Sequence, residues 1–187
     1  MGKVKIIGGT HKGRCITAAV NKTLRPTSSK VRESVFNILR DVIQGCSFLD
    51  LYAGSGGVGL EALSRGAQRV VFVDKSVKTI ETITSLPLFK IGGTSAAYIG
   101  DARSVLKKLE NMGETFNCVY VDPPYYSSEI ENILPLLSVS KVLTVGSYVL
   151  FEHPEKKSLP ESIGFLTKKK KYKYGDTLLT VYEFFQD

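Results

Sequence analysis

The chain of 187 residues is 43% hydrophobic and 23% charged, which is typical of a single globular domain and excludes extended disorder, fibrous repeats and low-complexity sequence. It has no apolar run of the ~18 residues that cross a bilayer, and its N-terminus lacks the apolar stretch of a signal peptide. Its three cysteines are too widely spaced for a disulfide framework or a metal cluster. We therefore expect a cytoplasmic monomer with no metal and no membrane contact.

The positive charge lies mostly in the N-terminal part of the chain. The net charge is +7, and residues 1–40 contain nine Lys or Arg but one Glu. A second basic cluster follows at residues 168–173. A basic segment joined to a nearly neutral body favours a polyanionic partner such as RNA, although a merely solvated surface would have the same composition.

The first elements are predicted to be a hairpin and a helix. Two short β-like runs, at residues 3–8 and 13–17, flank a glycine-containing turn. Polar residues follow, and from residue 28 to 43 the apolar residues recur at helical spacing. We therefore divide the chain into a basic N-terminal hairpin arm, residues 1–27, and a main domain, residues 28–187.

The main domain alternates between strand and helix patterns. Strands are predicted at 47–52, 69–74, 96–99, 116–122 and 145–153, with helices at 57–65, 76–86, 102–111 and 128–137. Two further strands, at 165–171 and 177–185, end the chain. Continuous apolar strands in alternation with helices predict an α/β, Rossmann-like fold with a doubly wound, mostly parallel seven-stranded sheet. The last hairpin is expected to add an antiparallel edge strand.

A glycine-rich turn follows the first strand of the main domain. Gly54, Gly56 and Gly59 match G-x-G-x-x-G and open a helix. Asp74 ends the next strand, where a carboxylate can accept hydrogen bonds from both hydroxyls of a ribose. The motif fits an NAD dinucleotide as well as S-adenosylmethionine, and a glycine turn that only packs is the third interpretation.

Two further acids favour S-adenosylmethionine over a dinucleotide. Asp50 precedes the glycine turn and suits the methionine ammonium or the fixing of the loop, and Asp101 follows the third strand near the expected adenine. A pyrophosphate gains nothing from acids around it, whereas a sulfonium with an ammonium does. The predicted cofactor site consists of Asp50, Ala53, Gly54, Ser55, Gly56, Asp74, Lys75, Asp101 and Ala102.

The tetrapeptide Asp122-Pro123-Pro124-Tyr125 ends the fourth strand and is the predicted catalytic site. The carboxyl ends of strands face one crevice in such sheets. The Asp122 carboxylate and the Pro123 carbonyl can hold the two N–H bonds of a nucleobase amine, while Pro124 stiffens the turn and Tyr125 offers a stacking face. Such a site works by positioning and electrostatics. A plain Asp-Pro-Pro turn is the alternative.

These motifs resemble a known family. D-x-x-A-G-S-G at 50–56 together with D-P-P-Y resembles the class I, S-adenosylmethionine-dependent amino-methyltransferases. Five further segments make the chain similar, from about residue 4 to 184, to the RsmD-type bacterial 16S rRNA guanine-N2 methyltransferases. They are IIGG at 6–9, LRPT at 24–27, VRESVFNIL at 31–39, LEALSRGA at 60–67 and KYKYGDT at 171–177.

The resemblance implies methyl transfer to the N2 of one guanine in 16S rRNA within the small ribosomal subunit. It places Arg25, Thr27, Arg32 and Glu33 near the mouth of the active site. The charge of the arm independently suggests that its cations contact phosphates. They are Lys3, Lys5, Lys12, Arg14, Lys22, Arg25, Lys30 and Arg32. The predicted RNA-binding residues are therefore Lys12, Arg14, Arg25, Thr27, Lys30, Arg32 and Glu33.

Three other functions fit parts of the sequence. An adenine-N6 methylase of RNA or DNA would also use D-P-P-Y, an NAD-dependent oxidoreductase would share the glycine turn, and a binding module would keep the basic arm. His153 follows a strand end without a partner pattern, so we expect a structural or rim role for it. None of the cysteines is expected beside the glycine turn, which argues against a cysteine nucleophile.

Overall fold

The computed structural model describes residues 2–18, 28–91, 94–124 and 127–185. The strands β1 (Gly2–Lys5) and β2 (Cys15–Ala18) pair antiparallel as the predicted hairpin. Helix α1 (Ser29–Ile38) begins at Ser28, whose side chain accepts a hydrogen bond from the Val31 N–H at 3.2 Å. Beyond Ile38 the chain continues in turns, so the helix predicted to residue 43 is shorter than expected.

The main sheet and its helices occupy the rest of the chain. Its strands are β3 (Ser47–Asp50), β4 (Arg69–Asp74), β5 (Ala96–Ile99), β6 (Phe116–Val121), β7 (Leu143–Pro154), β8 (Ser162–Ile163), β9 (Leu166–Tyr174) and β10 (Thr177–Phe184). The helices are α2 (Gly57–Ser64), α3 (Val77–Ser85), α4 (Ala102–Asn111) and α5 (Glu129–Leu137). None of the described helices is long and apolar enough to cross a membrane.

The strand order of the sheet is β5-β4-β3-β6-β7-β10-β9-β8. Strands β3 to β7 pair in parallel, whereas β10 pairs antiparallel with both β7 and β9. This confirms the predicted α/β, Rossmann-like sheet. Within the described residues the sheet has eight strands instead of seven, because the two-residue β8 extends it. The last hairpin adds antiparallel strands at one side of the sheet, as expected, with β10 next to β7 and β9 beyond it. The strand order reverses between β3 and β6, where such folds bind ligands.

The sheet separates two apolar cores. One lies against α1, α2 and α3, and the other against α4 and α5. Val4, Ile6 and Ile16 of the N-terminal hairpin belong to the first core, together with Phe36 and Phe48. The hairpin is therefore packed on the main domain. Its predicted boundary at residue 27 borders residues 19–27, which lie outside the described residues, and stays a prediction.

A buried ionic network fastens the hairpin to α1 and α2. The Glu61 side chain is fully buried and accepts hydrogen bonds from the Ile7 N–H at 2.9 Å and the Arg65 Nε at 2.8 Å. Arg32 donates from Nη2 to the Lys5 carbonyl at 2.7 Å, and its Nε lies 3.8 Å from Glu61. Burial lowers the pKa of Arg32, with Glu61 acting in the opposite direction. A buried charge needs such partners, since an unpaired one is costly.

Candidate active site

A cavity of about 300 Å³ opens at the carboxyl ends of the parallel strands, across the switch point between β3 and β6. This volume is at the lower end of the range for small-molecule sites. One wall comes from the ends of β3, β4 and β5, and the opposite wall from β6, β7, α1 and the turn between β9 and β10. The cavity therefore has a glycine-loop half and an Asp122 half.

The glycine loop is held in place by Asp74. Its Oδ2 accepts the Gly54 N–H and its Oδ1 accepts the Ser76 N–H, each at 2.8 Å. Gly54 and Gly56 have φ values of 50° and 73°, in the left-handed region that a side chain disfavours. Gly54 and Asp74 both line the cavity, as predicted for cofactor-binding residues.

Gly59, the third glycine of the motif, packs α2 against the sheet. A Cβ at this position would lie 2.2 Å from Cε1 of Phe72 on β4. A side chain there would force the helix away from the strand. Gly54 and Gly56 are thus required by the backbone conformation of the loop, and Gly59 by the close contact between α2 and β4.

Asp50 lies beneath the loop and outside the residues that line the cavity. Its side chain is 1% exposed and accepts the Gly59 N–H at 2.9 Å. Burial raises the pKa of Asp50 to about 7, against the lowering effect of that hydrogen bond. Of the two roles that the sequence suggested, fixing the loop is the one that these contacts support.

Asp50 should make the stability of the fold depend on pH. Its pKa in the folded protein lies above its ordinary value of 3.8, so the folded chain keeps a proton that the unfolded chain releases. Stability from this group is therefore lost as the pH rises from about 4 to about 7. We expect the free energy of unfolding to fall by about 2 kcal/mol through this group between pH 5.5 and pH 8.

Urea unfolding of wild type and Asp50→Asn at the two pH values measures this effect. The asparagine oxygen can still accept the Gly59 N–H but carries no titrating proton. The variant should lose that part of the pH dependence, while all other titrating groups cancel in the comparison. An identical pH dependence in the two proteins would contradict the assignment.

Asp101 caps α4. Its carboxylate accepts the backbone N–H groups of Arg103 at 3.0 Å and Ser104 at 3.4 Å, and it lies 3.2 Å from the Lys75 Nζ. Its partial burial raises its pKa, but the bonds from Lys75 and the two N–H groups outweigh this effect and leave the pKa lowered. The adjacent Ala102 and Lys75 line the cavity. The contact of Asp101 with an adenine stays a prediction.

The remaining residues of the predicted cofactor site shape the loop from within. Ala53 is buried and its N–H donates to the Val73 carbonyl at 2.8 Å. Ser55 Oγ accepts the Gly57 N–H at 3.3 Å. Gly56 precedes α2, and a Cβ there would lie 2.8 Å from Ile83. These three residues do not line the cavity and support those that do.

The structure brings the predicted catalytic residues to the opposite half of the cavity. Asp122, Pro123 and Pro124 follow β6 and all line it. The Pro124 carbonyl accepts the Ser127 N–H at 2.9 Å. Tyr125 lies outside the described residues, so its stacking role stays a prediction.

Several lining residues were not predicted from the sequence. They are Ser28, Val31, Leu51, Tyr52, Gly100, Glu129, Glu152, Tyr174 and Thr177. The Tyr52 hydroxyl donates to Glu129 Oε2 at 3.1 Å, and burial together with this carboxylate raises the pKa of Tyr52. Glu152 could have been predicted from the sequence, since it is an acid near the end of a predicted strand, the one that lies beside β6. Tyr174 and Thr177 belong to the family segment at 171–177, but spacing could not place them at the cavity, because their position depends on the pairing of β10 with β7.

The predicted RNA-binding residues separate into exposed and buried ones. Lys12, Arg14, Lys30 and Glu33 are exposed. The Arg32 side chain is 3% exposed, and its guanidinium packs against Gly57 behind the glycine loop. The prediction that Arg32 contacts RNA is therefore wrong for this structure. Arg25 and Thr27 lie outside the described residues.

The loop that carries Lys12 and Arg14 sits at the far end of α2. Ser64 Oγ donates to the Gly8 carbonyl at 2.6 Å and accepts the His11 N–H at 3.0 Å. Helix α2 begins at the glycine loop and has eight residues, which places the two cations about 12 Å along the helix from the cavity. They can contact a large partner but not a bound nucleotide.

The second basic cluster is largely paired. Lys168 lies 2.7 Å from Glu161 and Lys169 lies 3.1 Å from Glu183, and Lys173 pairs with Glu155. Such exposed pairs contribute little to stability but reduce the positive potential of the strand. The pairing favours the solvated interpretation of residues 168–173 over a second phosphate contact.

Other candidate reactive groups lie away from the cavity. His153 is 2% exposed and is bonded through Nε2 to Thr180 Oγ1 at 2.8 Å, and burial lowers its pKa. This fits the structural role predicted for it. None of the three cysteines lines the cavity. Among the described residues, no group of three or more His, Cys, Asp or Glu could hold a metal ion.

The cavity is rich in carboxylates. Asp74, Asp122, Glu129 and Glu152 line it, and Lys75 is the cation among its described lining residues. A cationic ligand gains from such walls and a pyrophosphate does not. These carboxylates therefore fit a sulfonium cofactor with an ammonium group better than a dinucleotide.

The family model described as Conserved hypothetical protein 95 matches residues 4–183. The chain belongs to this family. The resemblance to RsmD proteins is thereby confirmed, as the curated relatives show. The Bacillus subtilis protein YlbH is 35% identical over 181 residues, covering 96% of this chain and 98% of its own. The Ribosomal RNA small subunit methyltransferase D of Escherichia coli K12 is 35% identical over 163 residues, covering 85% and 79%.

Solved structures agree with this assignment. The Escherichia coli protein yhhF superposes with a TM-score of 0.84 at 28% identity, covering 98% of each chain. A Salinibacter ruber RNA methyltransferase, solved in complex with S-adenosyl-L-homocysteine, is similar in fold alone, with a TM-score of 0.65 at 13% identity over 87% of this chain and 95% of its own. The fold is that of the class I methyltransferases.

Proposed function

We propose that this protein transfers a methyl group from S-adenosylmethionine to the exocyclic N2 of a guanine in small-subunit ribosomal RNA. One observation carries the proposal. Asp122, Pro123 and Pro124 share a single cavity with Gly54 and Asp74, across the point where the strand order reverses. An amine-binding turn thus faces a nucleoside-binding loop, as a direct transfer requires.

The glycine-loop half of the cavity is suited to hold the cofactor. Gly54 lets a ligand approach the backbone, and the Asp74 carboxylate, already oriented by two N–H donors, can accept ribose hydroxyls. Lys75, Gly100 and Ala102 complete this wall. When bound, S-adenosylmethionine supplies an activated methyl group.

The Asp122 half is suited to hold the acceptor. A nucleobase amine is a poor nucleophile, since its lone pair is delocalised into the ring. The Asp122 carboxylate and the Pro123 carbonyl can accept its two N–H bonds and hold the nitrogen in line with the methyl group. The developing positive charge on that nitrogen is stabilised by the carboxylate. No covalent intermediate on the enzyme is required.

The nature of the acceptor rests on the relatives and on the charge. A relative that covers most of this chain is named a ribosomal RNA small subunit methyltransferase. The exposed cations Lys12, Arg14 and Lys30 would contact phosphates of the same RNA. The motif D-P-P-Y by itself suits adenine N6 as well as guanine N2. The choice of guanine N2 is therefore the most specific part of the proposal.

The test uses the purified protein with methyl-labelled S-adenosylmethionine. It is incubated with unmodified small ribosomal subunits, with naked small-subunit rRNA and with duplex DNA, and the product is digested to nucleosides. Label in N2-methylguanosine from subunits or rRNA is the expected result. Label in N6-methyladenine would contradict guanine as the target base, and label in DNA would contradict RNA as the acceptor. Absence of label from all three would contradict the proposal as a whole.

Charge reversal in the hairpin loop should weaken binding of the RNA partner. The double variant Lys12→Glu/Arg14→Glu removes two candidate phosphate contacts at the far end of α2. We expect weaker binding of small subunits and a salt dependence whose slope falls by about 1 to 2. Filter binding at several salt concentrations measures both quantities.

A matched control reverses the same number of charges elsewhere. Lys107 and Lys141 are exposed on the face formed by α4 and the segment after α5. The variant Lys107→Glu/Lys141→Glu has the same net charge, so an equal loss in both variants would indicate a general charge effect. No change in the hairpin variant would remove this loop from the RNA-binding surface.

A further inference from the structure

We infer that Glu152 selects guanine by accepting the N1–H of the target base beside the amine that Asp122 holds. The inference deepens the proposed function and rests on it. It concerns a residue that lines the cavity and has no part in the transfer itself. Its role would be to determine which base the site accepts.

The strand register places Glu152 beside Asp122. In the parallel pair of β6 and β7, Tyr120 is opposite Leu150 and Val121 is opposite Phe151. Asp122 and Glu152 are the residues that follow Val121 and Phe151 in these two segments. Neighbouring strands are about 4.8 Å apart, and paired residues project to the same face. Both side chains line the cavity, in agreement with this register.

Glu152 is held by a buried donor. The hydroxyl of Tyr120, a side chain that is 1% exposed, donates to Glu152 Oε2. Tyr120 is opposite Leu150, which lies two residues before Glu152 on β7, so Tyr120 and Glu152 share a face of the sheet. A carboxylate has about four lone-pair positions, and this bond orients the group while using one of them. The acceptor is thus positioned before a base enters.

Two carboxylates one strand apart are suited to a ligand with several donors. The Watson–Crick edge of guanine carries three N–H bonds in a row, one at N1 and two at N2. Asp122 with Pro123 accepts the pair at N2, and Glu152 accepts the one at N1. Charge-assisted hydrogen bonds of this kind are the stronger ones in proteins.

The same arrangement rejects the other bases that carry an exocyclic amine. Beside the amine, adenine presents N1 and cytosine presents N3, and each is a lone pair in place of an N–H. A lone pair facing the Glu152 carboxylate would be repelled and would leave both groups unsatisfied. An amine-methylating cavity with this second carboxylate is therefore specific for guanine.

Glu129 provides an internal comparison. It is another carboxylate of the cavity, but it projects from α5 and accepts the Tyr52 hydroxyl at 3.1 Å. Tyr52 follows β3, on the glycine-loop side. Glu129 thus has the same chemistry and a similar tyrosine partner without the position beside Asp122. It should have no effect on the choice of base.

The test replaces the target guanosine, once located by the labelling assay, with 2-aminopurine riboside in the substrate RNA. This base keeps the exocyclic N2 amine but has a lone pair at N1. Wild-type enzyme should methylate guanine with a kcat/KM at least about 100-fold higher. Equal rates on the two bases would overturn the inference without any variant. Absence of guanine methylation would instead overturn the proposed function.

Glu152→Gln should reduce that preference at least about tenfold, since its amide can turn an N–H towards the N1 lone pair. Glu129→Gln should keep the guanine preference of the wild type, whatever its absolute rate. Thermal unfolding checks that both variants fold. An unchanged preference in Glu152→Gln, or an equal loss in both variants, would contradict the assignment to Glu152.

Discussion

Asp122→Asn is expected to abolish methyl transfer while cofactor affinity stays within a few-fold of wild type. The variant keeps the shape of the side chain but removes the negative charge that stabilises the positive charge developing on the amine. Losing a group that stabilises developing charge costs about 100-fold or more in kcat. Asp122 stands in the half of the cavity opposite Gly54 and Asp74, so the cofactor wall is untouched.

The measurement combines single-turnover transfer with calorimetric titration of S-adenosylhomocysteine. Asp41→Asn is the control, because Asp41 is an exposed residue after α1 that pairs with its neighbour Arg40 at 3.4 Å. It carries the same chemical change and should behave like wild type. Turnover in Asp122→Asn comparable to wild type would refute the role of this carboxylate.

Asp74→Asn should have the opposite profile, with a loss of cofactor affinity. The two Asp74 oxygens accept the N–H groups of Gly54 and Ser76. An asparagine has one acceptor oxygen, so its NH2 group would face one of those donors, and a bond to a ribose hydroxyl would be lost as well. We expect the Kd for S-adenosylhomocysteine to rise at least about tenfold.

The same titration with Asp122→Asn is the matched comparison for this variant. The two substitutions change the same kind of side chain in the two halves of one cavity. If Asp74→Asn binds S-adenosylhomocysteine as tightly as Asp122→Asn does, the glycine-loop half is not where the cofactor lies. Thermal unfolding of both variants separates a local effect from a loss of folding.

Much of the fold could be predicted because local patterns decide it. The runs at 69–74, 96–99 and 102–111 match β4, β5 and α4 in their bounds. Continuous apolar strands require a sheet that is covered on both faces. The strand count was one too low, because β8 has only two residues, and the pairing of β10 with β7 is a long-range contact that no local pattern contains.

The candidate site was partly predictable for a similar reason. Gly54 is in the loop after β3, Asp74 ends β4 and Asp122 directly follows β6, and the carboxyl ends of parallel strands meet at one edge of the sheet. Their common cavity follows from that rule. Asp50 and Asp101 were placed in the same region, but whether each side chain faces the ligand or the backbone depends on contacts that spacing does not contain.

Arg32 shows where reasoning from charge failed. A basic segment suggested cations that face a partner, yet this guanidinium bonds the Lys5 carbonyl and packs behind the glycine loop. Whether a charged side chain points outward or inward depends on the partners available inside, here the fully buried Glu61. Those partners come from elements distant in the sequence.

The sequence by itself determined the alternating fold, the glycine loop, the Asp-Pro-Pro turn after β6 and the family, because each is encoded in short segments whose chemistry is local. The tertiary structure alone decided that Glu152 lies beside Asp122, that Tyr174 and Thr177 close the cavity, and that Arg32 is internal. These facts depend on strand order and on burial. Both are set by packing between segments far apart in the chain, which no local pattern specifies.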